Sequence, residues 1–315
     1  MSLRMRGSTR RGLALLGSLT LLTLAGCSEQ YNGERMFWKA QQRQVPFAKD
    51  PTKATQEQID YAIDGFNRVI RKSPGTQWAA RAYLAIGGLR VLEKRYPEAR
   101  ESYDTVLQNY NHYKDLALAA RVAIARTHEI EGDWEKAVGM YNELAEYHTW
   151  TRAGLEAPLY VAAIYEKRNE PEMVTKSFEH AIRFYTKMIA EAPTPQAANR
   201  VKSYLALSYQ RLDRWQQAVE VFEQLLRETD GVNRPLVLLT LGSIYQTKLN
   251  NTPRAINLYR QLLQETPDHP YAKVARAQLE YLGQPVPPVT PTTPTAPAAG
   301  GAPATPPANA PVGAH

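Results

Sequence analysis

The side chains of this 315-residue chain that could carry chemistry are few, and their spacing argues against catalysis. The six histidines, His112, His128, His148, His180, His269 and His315, are scattered. The run His128-Glu129-Ile130-Glu131-Gly132 sets one imidazole beside two carboxylates, but a zinc-protease helix requires a second histidine one turn on. There is no Gly-rich phosphate loop and no Gly-x-Ser-x-Gly nucleophile elbow. Carboxylate pairs such as Glu129 and Glu131 read as solvated helix faces. Gly87-Gly88 reads as close helix packing, and Trp78, Trp134, Trp150 and Trp215 read as packing residues. A lone cysteine, Cys27, excludes an internal disulfide framework and any multi-cysteine metal site. The expectation is a protein with no enzyme activity, no cofactor and no metal.

Charge excludes a further class. The formal net charge is +7, but Arg4, Arg6, Arg10 and Arg11 precede the first acidic residue, Glu29. Without those four, 34 of the 38 basic side chains face 31 acidic ones, so the basic pI is not a nucleic-acid footprint. The same arginines form the positive start of a secretion signal. Leu13 to Ala25 follow as thirteen uncharged, mostly apolar residues, the length of a signal h-region. Spanning a bilayer takes about 20. Leu24-Ala25-Gly26-Cys27 resembles the lipobox of bacterial lipoproteins. That resemblance implies cleavage before Cys27, acylation of its thiol and of the new amino terminus, and a lasting anchor of several acyl chains. Ser28 rather than aspartate after the cysteine implies sorting to the outer membrane, facing the periplasm.

The body between the ends, roughly 250 residues, is long enough for a sizeable core, and it is periodic. An alanine, an aromatic four residues on and an aliphatic residue or Met three beyond recur six times: Ala62-Phe66-Val69, Ala99-Tyr103-Val106, Ala137-Tyr141-Leu144, Ala181-Tyr185-Met188, Ala218-Phe222-Leu225 and Ala255-Tyr259-Leu262. Offsets of four and seven put each triad on one helix face, where the small residue admits a neighbouring helix and the aromatic fills the space beside it. The alanine steps are 37, 38, 44, 37 and 37 residues, with about seven extra residues near Asn169 to Ser177. Another apolar-periodic segment precedes each later triad helix: Trp78 to Leu92, Leu116 to Ile130, Leu159 to Tyr165, Val201 to Leu212 and Leu236 to Leu249. Thr55 with Gln58 and Asp213 with Gln216 have capping-box spacing, Thr252-Pro253 reads as an N-cap and first helical residue, and Gly132-Asp133 marks a break. Pro74, Pro193 and Pro267 fall where second helices should stop.

Paired helices with alanine, aromatic and proline in this order resemble the tetratricopeptide repeat, best in Leu205-Ala206, Tyr209, Ala218 and Phe222. The implied fold is all-α, a right-handed α-solenoid of about six helical hairpins. The expected organisation is a lipoprotein signal over residues 1–26 and a lipidated tether with an N-terminal capping helix over 27–54. The repeat domain follows over 55–282, and a disordered Pro/Ala/Thr-rich tail, with ten prolines and no charge, over 283–315. Ser28 to Asn32 would be the tether, and Met36, Phe37 and Trp38 would cap the first repeat. Together with the lipobox, the repeats resemble the tetratricopeptide lipoproteins of outer-membrane biogenesis, the group that includes the lipoprotein subunit of the β-barrel assembly machine.

In the repeat family the first helix of each pair lines a concave groove. By that resemblance the groove-facing residues are Arg81, Arg126, Glu129, Glu166, Lys167, Arg200, Gln210, Arg211, Gln246 and Thr247. Several Arg and Gln suit an extended peptide or an acidic segment, because fork-shaped donors engage carboxylates and carbonyls. The expected function is a non-catalytic scaffold, held to the membrane by its lipid, that binds envelope proteins or peptides and no nucleic acid. The alternative is a peptidoglycan- or polysaccharide-binding module of an export system.

Overall fold

A computed structural model of the chain describes residues 30–228 and 234–286. The signal segment, Cys27 and the tail beyond Val286 lie outside the described residues. Among the described residues there are thirteen α-helices and no strand, and none of the helices is long and apolar enough to cross a membrane. They gather into two compact units that divide after Glu228, within what the repeat pattern presents as one body.

The first unit contains α1 (residues 30–42), α2 (Gln56–Lys72), α3 (Gln77–Leu92), α4 (Tyr96–Asn109), α5 (Lys114–Glu131), α6 (Trp134–Tyr147), α7 (Arg152–Lys167), α8 (Pro171–Ala190), α9 (Pro195–Arg211) and α10 (Trp215–Glu228). From α2 to α10 each helix packs on its chain neighbour, α1 packs on the first hairpins through Ala40, and α3, α5, α7 and α9 also pack on one another in succession. These first helices of the hairpins therefore form one layer, and the second helices α4, α6, α8 and α10 form the other. The second unit contains α11 (Arg234–Thr247), α12 (Thr252–Glu265) and α13 (Pro270–Tyr281), with α13 packed on both α11 and α12.

The triads are the reason for the stacking. All eighteen of their side chains are buried, from Ala62, Phe66 and Val69 on α2 to Ala255, Tyr259 and Leu262 on α12. The small residue facing each aromatic is as necessary as the aromatic. A Cβ on Gly87 would sit 2.3 Å from the Tyr103 ring, and one on Gly242 would sit 2.4 Å from the Tyr259 ring. The seven extra residues of the fourth repeat are two further turns at the start of α8, a twenty-residue helix among neighbours of fourteen. Two turns take about 7.2 residues, so the insertion lengthens the helix without rotating Ala181 and Tyr185 off the core.

Local signals held in some places and shifted in others. Thr55 and Gln58 form a reciprocal capping box at α2, and Gly132 ends α5 with φ 89°. Asp213 is not a cap: its φ is 54°, and it makes the turn two residues before α10 begins. At α12 the cap is Asn251, whose side chain accepts from the Arg254 N–H, so Thr252 is the first helical residue and Pro253 the second. An amide with both a short reach and tolerance of turn geometry outcompetes the neighbouring threonine there. Helix α1 begins by residue 30, so the polar stretch to Asn32 is largely helical. Met36 and Phe37 pack on the core of the first hairpins, whereas Trp38 is exposed. Trp150 is also partly exposed in the turn before α7, and Gly88 faces open space, so neither is a packing residue. At the other end, Gly283 and Gln284 close α13, their N–H groups donating to Glu280 and Leu279, and the Pro-rich composition begins after them.

Candidate binding face of the first-helix layer

Four of the candidate groove residues turn out to be stitched to one another. Lys167 at the end of α7 pairs with Glu129 at the end of α5, and Arg211 at the end of α9 pairs with Glu166 on α7. Stacked helices of similar length bring their last turns to the same level, so residues 38 and 45 positions apart meet. Glu129 is further held by the Tyr141 hydroxyl, which donates to Oε2 at 2.9 Å. The Arg211 guanidinium also lies 5.5 Å from the Phe178 ring. Such exposed pairs contribute at most about 1 kcal/mol each, but they leave these charges engaged within the protein.

In the middle of the layer is a polar network that the sequence pattern did not single out. Glu156 on α7 accepts from Arg152 Nε at 2.7 Å and from the Tyr160 hydroxyl at 2.6 Å, and, added to burial, its charge helps raise the Tyr204 phenol of α9. Tyr160 lies 5.1 Å from Tyr141, and Tyr204 stacks on Tyr185 at 5.7 Å. The Tyr185 hydroxyl donates to the Leu155 carbonyl at 2.6 Å, close to Pro158, an interior proline that gives α7 no N–H for the Gly154 carbonyl. Burial, with the Glu156 carboxylate beside it, pushes the Tyr160 phenol up to about 12, so it remains a donor at neutral pH. A signal for this network does exist in the sequence. Tyr160 and Tyr204 are separated by 44 residues, the same step that separates Ala137 from Ala181.

Three candidates differ from the stitched four. Arg81, Arg126 and Arg200 are exposed, and none meets a carboxylate within 4 Å among the described residues. Two of them keep company with an aromatic ring. Arg81 lies 5.5 Å from Trp78 and Arg126 5.6 Å from Tyr160, while the Arg200 charge acts on the Tyr204 phenol one turn along α9. Helical periodicity places exposed apolar side chains on the same face: Leu92 eleven residues after Arg81, Ile130 four after Arg126 and Leu207 seven after Arg200. Gln210 is half-buried on α9. In the second unit Gln246 accepts from the Tyr259 hydroxyl at 2.8 Å, and Thr247 donates to the Ser243 carbonyl at 2.8 Å, so both serve α11 and α12 themselves. No group of three His, Cys, Asp or Glu among the described residues converges as a metal site.

The geometry of stacked hairpins meets two matches to family models, both described as the tetratricopeptide repeat, over residues 204–236 and 236–269. Residues 204–269 carry tetratricopeptide repeats. The repeat's alanine and aromatic positions in that stretch are Ala218 with Phe222 and Ala255 with Tyr259. Solved tetratricopeptide-repeat structures are similar to the chain at low identity. One is YrrB, described as having an unusual peptide-binding site, at 14% identity, covering 68% of this chain and 99% of that one with a TM-score of 0.35. Another is a thermophilic tetratricopeptide-repeat protein of Thermus thermophilus, at 17% identity, covering 64% and 99% with a TM-score of 0.41. A third, from Parabacteroides merdae, is 15% identical and covers 78% and 98% with a TM-score of 0.34. No match to a curated protein was found.

Proposed function

We propose that this chain is a scaffold that holds an acidic, extended segment of another protein on the first-helix layer of its first unit, while Cys27 carries a lipid that moors it to the bacterial outer membrane. The observation that carries the binding half is the set Arg81, Arg126 and Arg200, each exposed and none in an ion pair among the described residues, with Arg81 and Arg126 each beside an aromatic ring. Guanidinium forks engage carboxylates and peptide carbonyls in bidentate fashion, and aromatic neighbours with exposed Leu92, Ile130 and Leu207 supply apolar contact. The neighbouring charges are already neutralised by Glu129–Lys167 and Glu166–Arg211, so the arginines set the sign of the face. The anchoring half rests on Leu24-Ala25-Gly26-Cys27 behind its basic and apolar leader.

In-cell photocrosslinking from position 130, exposed one turn after Arg126 on the same face, tests the first half. A discrete protein adduct is expected, lost when Arg81, Arg126 and Arg200 are changed to Glu, with thermal stability unchanged because these side chains are exposed. Retention of the same adduct by the triple variant refutes the acidic-segment reading, and recovery of glycan rather than protein replaces it with a wall-binding one. Labelled palmitate tests the second half: Cys27→Ser should abolish incorporation and release the protein from the membrane fraction.

A further inference from the structure

The first unit has a second concavity, away from the arginine face, between the second helices α6 and α8. It is a groove of about 630 Å³ with α7 as its floor. The spacing of its lining is the informative feature. On α8 the groove is faced by Met173, Ser177, His180, Phe184, Lys187 and Glu191, at alternating steps of four and three. On α6 it is faced by Val138, Asn142 and Ala145, at steps of four and three, with Thr149 in the turn that follows, and on the floor by Pro158, Val161 and Tyr165, at three and four. Alternating three and four is the spacing at which a helix presents a seam to another helix. Three helices thus turn such seams toward one empty groove. The two additional turns at the start of α8 extend its wall past the ordinary repeat, adding Met173, Lys176 and Ser177.

We propose that this groove seats an amphipathic α-helix of a partner protein, about three turns long, with an apolar stripe directed into the groove and carboxylates along the edge that meets α8. The length follows from the α6 wall, residues 138 to 147, which spans roughly 14 Å at the rise of an α-helix and is continued by Thr149 in the turn. The apolar stripe follows from Val161, Phe184 and Met188 below, with unbranched Met173 and Met188 able to adapt to the entering side chains. The carboxylate edge follows from charge. The α8 side carries Lys176 and Lys187 against Glu191 alone, whereas the α6 wall carries only Glu146. Lys176 and Lys187 hold Glu172 and Glu191 only through exposed pairs within α8 itself, which a partner's carboxylates can share at small cost. This seat is independent of the arginine face, and either can exist without the other.

The test uses the full chain and a fluorescent 18-residue helical peptide with leucines at alternating three- and four-residue steps and glutamates along one edge, read by anisotropy. Binding is expected, weakened about tenfold or more by Lys176→Glu with Lys187→Glu. A peptide carrying lysines in place of the glutamates should restore it on that variant. Both lysines are exposed, so the variant should keep the wild-type circular dichroism and melting curve. Arg126→Glu should leave the peptide's affinity unchanged, which separates this seat from the arginine face. The proposal is overturned if a peptide of the same composition in scrambled order binds equally, or if the charge swap restores nothing. It is also overturned if the peptide fails to bind, or if phosphatidylglycerol vesicles displace it completely, which would make the groove a lipid site.

Discussion

Gly154 is the residue whose substitution should cost most for the fewest atoms added. It stands in the first turn of α7, and its N–H is capped by Thr151 Oγ1 at 3.1 Å. A Cβ there would lie 2.1 Å from the His148 carbonyl oxygen, 2.6 Å from its carbon and 2.9 Å from the Leu144 carbonyl oxygen. All three are backbone atoms at the end of α6, so no side-chain rotation relieves the contact. The start of α7 would have to withdraw from the turn by roughly 1 Å, and overpacking of this kind costs about 1–3 kcal/mol, with a backbone clash at the upper end. Replacing a helical glycine with alanine returns only about 0.5–1 kcal/mol. The net expectation for Gly154→Ala is about 2 kcal/mol of destabilisation, a fall in Tm of roughly 4–8 °C for a unit of this size. Gly139→Ala is the matched control: it lies within α6, exposed, with nothing inside 4 Å of the added Cβ, so it should raise Tm slightly. Thermal unfolding followed by circular dichroism reads both. A Gly154→Ala protein that melts at or above wild type would refute the packing of α6 against α7 as described.

Acid should act through two histidines before it acts through carboxylates. Burial holds the His128 imidazole below its usual value, helped by Arg100 and opposed by Asp133, and burial with Arg121 does the same for His148. Above about pH 6.5 both are neutral in either state; as pH falls through that value the unfolded chain takes up protons first, so stability should decline between pH 7 and 5. The double change to Gln should flatten that decline. Glu265, depressed by Arg234, contributes stability that is lost only as pH falls below about 4.5, so the two windows are separable by melting curves. Glu156→Gln should weaken the bonds from Arg152 and Tyr160, lowering stability by about 1.5–3 kcal/mol in urea titration and moving the Tyr160 phenol back toward ordinary tyrosine.

The alternation of helix pairs could be read from the chain because the triads repeat a local geometry. Four- and seven-residue offsets define one helix face whatever lies opposite, and a small residue beside an aromatic specifies how closely the next helix must come. For the same reason Pro74, Pro193 and Pro267 mark helix ends, and the seven extra residues near Asn169 are absorbed as two whole turns. The binding face was legible only in outline. Nothing local distinguishes Arg126 from Arg211, since each is an exposed arginine on a first helix. Only the stacking of α9 on α7 delivers Glu166 to Arg211, while Arg126 is left against Tyr160. The Glu156 network and the groove between α6 and α8 are likewise products of packing, built from residues that lie tens of positions apart. Periodicity within a helix is a property of the sequence, and it determined which side chains are buried. Which charges are cancelled and which face outward depends on how far one hairpin is displaced over the next, and only the tertiary structure decides that distance.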